Sequence, residues 1–70
     1  MMHFQRIEDL RIDNDYTQAD VAKHLNMHVG VYRRYEKGTR EIPSWAVIKL
    51  AELYGCSTDY IFGRTDQKHA

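Results

Sequence analysis

Between Gln18 and Gly38 the chain has room for two short helices and almost nothing else. Val21, Ala22 and Leu25 recur on one helical face, and Val29, Tyr32 and Tyr35 do so again. Only Asn26-Met27-His28 separates the two sets. Thr17 is a good N-cap for the first of them, and Asp20 three residues on makes a weaker version of the reciprocal cap, which prefers Glu or Gln. Asn26 tolerates the left-handed backbone that ends a helix, and Gly38 offers the next stop. Helices of about eight to ten residues joined by so short a turn must pack against each other.

The same reading extends over the rest of the chain. Phe4, Ile7 and Leu10 predict a helix running to about Asp13, and Asn14-Asp15 supplies turn chemistry after it. The second helix is expected over Gln18 to Leu25. Pro43 suits a helix's first turn, and Val47, Ile48, Leu50, Ala51 and Tyr54 mark a fourth helix ending at Gly55. Ser57 caps a short fifth helix, Thr58 to Phe62, which Gly63 stops. No alternating strand pattern occurs. The expected fold is all-α, a compact five-helix bundle in one domain over residues 1–65, with a polar tail over 66–70.

Size and composition exclude several functions. A chain of 70 residues buries only about 60% of the surface that its unfolded form exposes, so a large catalytic cleft is not expected. Ser, His and Asp are all present, but nothing in the expected fold gathers them in a water-excluding pocket, so the chain reads as no enzyme. The single cysteine, Cys56, can form neither an internal disulfide nor a multi-cysteine zinc site, and reads as a small packed hydrophobe. His24 and His28 straddle a helix end and would not share a face, so neither a metal nor a cofactor is expected. No apolar run approaches the roughly 18 residues of a membrane span, and Met1 to Arg6 lack the apolar core of a signal peptide. A soluble cytoplasmic domain is expected.

Charge is balanced in total and uneven in place. Ten basic residues cancel ten acidic ones. From Lys23 to Arg40, however, Lys23, Arg33, Arg34, Lys37 and Arg40 face one acid, Glu36, while the other five basic residues face nine acids. Such a distribution can turn a basic face toward a polyanion and an acidic one away from it. An ordinary solvated helix surface would carry the same residues, so charge alone decides nothing.

Register sharpens the reading. Counting from Gln18, the fifth residue is Ala22, where crossing helices leave room only for a small side chain. Val21, Leu25, Met27, Tyr32 and Tyr35 fall where a helix-turn-helix needs its buried seam, and residues 18–37 fit that motif. Val29 to Lys37 as helix would span about 13.5 Å, a fair match to a major groove about 12 Å wide.

Thr17-Gln18-Ala19-Asp20-Val21-Ala22, Tyr35-Glu36-Lys37-Gly38-Thr39-Arg40, Ile48 to Gly55 and Ser57 to Gly63 together resemble the Cro and phage-repressor type of helix-turn-helix domain, also called the xenobiotic-response-element type. With Leu10-Arg11 upstream, the resemblance covers about residues 4 to 65. It implies the lambda-repressor-like fold, duplex DNA as partner, and a third helix lying in the major groove. Members this short are typically stand-alone bacterial or phage transcriptional regulators acting as homodimers, and no small-molecule ligand is inferred.

Residue by residue, the resemblance places Gln18 where a glutamine meets a DNA phosphate. Val29, Gly30 and Arg34 occupy positions that read base edges, and Arg33 is a further exposed candidate. An arginine can bond guanine O6 and N7 with both arms, and Val29 can pack on a thymine methyl. Gly30 and Val31 depart from the polar residues frequent at their positions. Lys37, Thr39 and Arg40 fall in a backbone-contacting loop, and His28 reads as the third helix's N-cap or as a phosphate contact. Arg11 and Glu36 match a pair that bridges the first and third helices in relatives.

Trp45, Ile61 and Phe62 are large apolar residues that so small a domain has trouble hiding. They either close the core or face a second copy of the chain, and they are taken here as the expected dimer interface. The leading expectation is therefore a sequence-specific regulator, a repressor, binding an inverted repeat as a homodimer. The alternative is an antitoxin-like protein-interaction module that kept the fold and lost DNA recognition, to which overall neutrality and the Gly30-Val31 pair lend weight.

Overall fold

Every helix of this chain ends by the same device. The computed structural model describes residues 3–69, and its helices are α1 (Gln5–Asp13), α2 (Gln18–His24), α3 (Val29–Lys37), α4 (Ser44–Tyr54) and α5 (Thr58–Phe62). After each comes one residue with positive φ: Asp15, Asn26, Gly38, Gly55 and Gly63. The next amide then reaches back five residues. Tyr16 N bonds Arg11 O at 3.1 Å, Met27 N bonds Ala22 O at 2.9 Å, and Thr39 N bonds Arg34 O at 3.1 Å. Cys56 N does the same to Ala51 O at 3.0 Å, and Arg64 N to Asp59 O at 2.9 Å. These bonds satisfy carbonyls left without partners at helix ends, so each turn is closed by local chemistry before any tertiary contact forms.

Helix starts follow the sequence almost as closely. Thr17 Oγ1 accepts from Asp20 N at 3.0 Å while Asp20 Oδ2 accepts from Thr17 N at 3.0 Å, so the reciprocal cap is complete even with the shorter acid. Ser57 Oγ accepts from Tyr60 N at 3.0 Å. α2 closes at His24 rather than Leu25, because Leu25 takes the C-cap position. Pro43 sits just outside the first turn of α4 as its N-cap residue, with extended ψ of 154°.

The core joins Ile7 and Leu10 of α1, Val21 and Ala22 of α2, Tyr32 and Tyr35 of α3, Val47 and Leu50 of α4, and Ile61 of α5. α2 and α3 pack on one another more extensively than any other pair of helices. The expected five-helix, all-α architecture is what the chain forms, and no strand occurs among the described residues.

Two expectations change at the C-terminal end. Ile61 is only 1% exposed and belongs to the core, so it presents nothing to a second copy. Its place on the inner side of a five-residue helix leaves it no outward direction. The polar tail is also tied down. The Arg6 guanidinium lies 4.0 Å over the Tyr60 ring, donates to the carbonyls of Tyr60 and Thr65, and pairs with Asp66 at 2.8 Å. Ser57 N bonds Lys68 O at 2.7 Å. Met1, Met2 and Ala70 lie outside the described residues, so the reading of the N-terminal leader and the last residue of the tail is not addressed by the structure.

Candidate nucleic-acid interface

One carboxylate organises the face that α2 and α3 share. Glu36 lies on α3 and is 3% exposed. Arg11 of α1 grips it with two nitrogens, Nε to Oε2 at 2.6 Å and Nη2 to Oε1 at 3.3 Å. Gln18, the first residue of α2, donates from Nε2 to Glu36 Oε1 at 3.1 Å. Burial alone would push the Glu36 carboxyl upward. The Arg11 guanidinium, the nearby Tyr32 phenol and the Gln18 amide outweigh that and hold it below its ordinary value. Glu36 in turn holds the Arg11 guanidinium above its own. The Tyr32 hydroxyl is itself buried beside the carboxylate without a hydrogen bond of ordinary geometry. The pair expected between the first and third helices is present, and with Gln18 it bolts α1, α2 and α3 together.

Above this anchor α3 turns its polar side outward. Arg33, Arg34 and Lys37 are exposed, as is Arg40 in the loop that follows. None of the four forms an ion pair among the described residues. Val29 and Gly30 are half-buried at the first turn, and Val29 packs partly on the core, so less of it is free than the sequence suggested. Lys37 closes α3 rather than lying in the loop as expected, and the loop that carries Arg40 is fixed by Gly38, whose φ of +77° and close approach to His3 leave no space for a side chain.

His28 takes the N-cap role. Its Nδ1 accepts from Gly30 N at 3.0 Å, which places the proton of the neutral ring on Nε2 and leaves that N–H as a free donor. Thr39 fits its expected role less well. Its N–H is spent on the Arg34 carbonyl at 3.1 Å, and its exposed hydroxyl, 3.4 Å from the same oxygen, is the one donor left to turn toward an anion. Gln18 is half-buried and bonded on both sides of its amide, to Glu36 and to Arg33 Nε at 3.2 Å. Neither bond is legible in the sequence, because residues fifteen and eighteen apart meet only through the crossing of α2 and α3.

The exposed apolar surface also differs from expectation. Trp45 is 49% exposed and Ile48, one turn further along α4, is 51% exposed. Phe62 is at the margin of exposure and packs edge-on against Phe4 with ring centroids 5.1 Å apart. In the sequence Ile48 reads only as a helix-forming residue. Its spacing of three from Trp45, off the Val47 and Leu50 face, was the available signal.

The helix-turn-helix family profile matches residues 7–61. The HTH-type transcriptional regulator ImmR of Bacillus subtilis is 32% identical over 62 residues, covering 89% of this chain and 49% of that protein. The cryptic phage CTXphi transcriptional repressor RstR of Vibrio cholerae is 39% identical over 54 residues, or 77% of this chain and 49% of the repressor. The uncharacterized HTH-type regulator YobD of B. subtilis is 34% identical over 65 residues, 93% of this chain and 58% of its own length. This chain thus spans about half the length of the curated relatives it matches. Because the profile runs from α1 into α5, well beyond the two-helix motif, the chain belongs to the helix-turn-helix family of the Cro and phage-repressor type.

Proposed function

We propose that this chain binds duplex DNA sequence-specifically as a transcriptional regulator, a repressor, and does so as a homodimer on an inverted repeat. The observation that carries the reading is the outward face of α3, where Arg33, Arg34 and Lys37 are exposed and unpaired with any acid among the described residues while the helix beneath them is bolted to the core. A rigid cationic helix is what a groove lined by phosphates selects. In this reading α3 enters the major groove, with Arg34 reading a guanine and Val29 and Gly30 lying closest to the bases. Lys37, Arg40 and the Nε2–H of His28 serve the backbone, whereas Gln18, its amide bonded to Glu36 and to Arg33, makes no direct contact of its own. The relatives, two HTH-type regulators and one phage repressor, favour the same role. Binding, with no chemistry at the site, is the whole activity in this proposal.

Selection from a random duplex library at moderate salt tests it. The expected product is a palindromic consensus whose half-sites lie about one helical turn, roughly 34 Å, apart. Affinity for it should fall steeply and linearly in log–log form as salt rises. Failure to enrich any sequence, with affinity indifferent to salt, would leave the partner-binding module as the better account.

A further inference from the structure

We infer that Arg33 and Arg34, adjacent and both exposed, do different work: Arg34 reads a base, whereas Arg33 is a backbone clamp that Gln18 positions. The inference rests on the proposed DNA binding and divides a face that the sequence treats as uniform. Arg33 donates from Nε to Gln18 Oε1 at 3.2 Å, while Arg34 has no side-chain hydrogen bond among the described residues. The orientation of the Gln18 amide is chemically forced. A carboxylate only accepts and a guanidinium only donates, so Nε2 must face Glu36 and Oε1 must face Arg33. A relay therefore runs from Arg11 through Glu36 and Gln18 to Arg33.

Dimensions then decide where Arg33 is held. A helix with its side chains is about 10–12 Å across, and the major groove is about 12 Å wide. One helix fits. With α3 in the groove, α2 must stay outside at the groove wall, where the phosphates are. An arginine anchored at Nε to the first residue of α2 is drawn off the α3 axis toward that wall, with its two terminal nitrogens left to meet a phosphate. Arg34 has no such tether and keeps its full reach toward the base edges. Gln18 thus acts through Arg33, and Glu36 acts through Gln18.

The test uses the wild-type chain and the duplex it selects, with a panel of single-base-pair variants of that duplex measured at several salt concentrations. Arg33→Ala is expected to weaken every duplex by a similar factor and to lower the log–log salt slope by about 0.9 per bound subunit. Arg34→Ala is expected to flatten preference at one base pair of each half-site. Gln18→Ala should reproduce part of the Arg33→Ala loss, and the double variant should bind no worse than Arg33→Ala alone. Gln18→Met serves the same purpose should the alanine variant melt early. Loss of preference at a base pair in Arg33→Ala, or losses for Arg33 and Gln18 that simply multiply, overturns the division while leaving DNA binding intact. A wild-type chain that selects no duplex overturns both, so the two failures are distinct.

Discussion

Glu36 is nearly inaccessible to water yet ionised, because Arg11 and Gln18 supply the interactions that water would otherwise provide. Removing Arg11 strands a buried charge, so Arg11→Ala should lower stability by about 3 kcal/mol, read as the urea midpoint. The sign of the acid response follows from the same contacts. Glu36 is held below its ordinary value, and so is Asp20, where the Thr17 backbone and side chain bond its carboxylate. Groups depressed in this way stabilise the fold above the unfolded-state value, about 4.3 for Glu, and lose that contribution as pH falls through their folded values. Stability should therefore decline below about pH 4.5, and Glu36→Gln should lose less than wild type over that interval. The tyrosines respond at the other end of the scale. Burial, reinforced by Glu36, raises Tyr32 and Tyr54 above the usual phenol value. Their contribution is complete below about pH 10 and is lost as pH rises further. In an alkaline titration, the phenolate absorbance of two of the five tyrosines should appear only as the chain unfolds.

At the scale of the helix, the common left-handed stop sets which substitutions matter. Gly38→Ala meets two penalties, a positive φ of +77° and a new Cβ only 2.9 Å from His3 Cβ. A loss of about 2 kcal/mol in urea denaturation is expected. Asn26 stands in the same conformation, at φ 57°, within the turn between α2 and α3. There Asn26→Gly should be close to neutral, and Asn26→Val should destabilise by at least about 1 kcal/mol, since a β-branched side chain resists that backbone. These stops were legible in the sequence because they depend on single residue types and on bonds spanning five residues. The caps at Thr17 and Ser57 were legible for the same reason. Less legible was the tail: nothing local in Arg6 announces that its guanidinium meets Tyr60 and Asp66 more than fifty residues away.

For the whole molecule, the question is what covers Trp45 and Ile48. Surface substitutions of this kind usually change stability by about 0.5 kcal/mol or less. A homodimer that closes over these two residues would make their loss felt in assembly instead. The double substitution Trp45→Ser with Ile48→Ser should leave the melting temperature nearly unchanged and shift sedimentation to the monomer. Affinity for a two-half-site duplex should fall about 100-fold or more, with little change for an isolated half-site. A double variant that sediments and binds like the wild type would move the interface elsewhere. The same scale explains why bulk charge was uninformative. A neutral total conceals a stretch, Lys23 to Arg40, four of whose five cations the fold places on α3 and the loop after it, and whose one acid, Glu36, is turned inward.

The order of residues by itself determined five helices, their ends to within about a residue, which faces are apolar, and the register that makes α2 and α3 a helix-turn-helix, because all of these follow from interactions within a turn or two of chain. Tertiary structure alone decided that Ile61 is core and that Arg33 is tethered while Arg34 is free. Those outcomes depend on how helices distant in sequence cross, and a side chain's partner across such a crossing is set by packing geometry that no local pattern encodes.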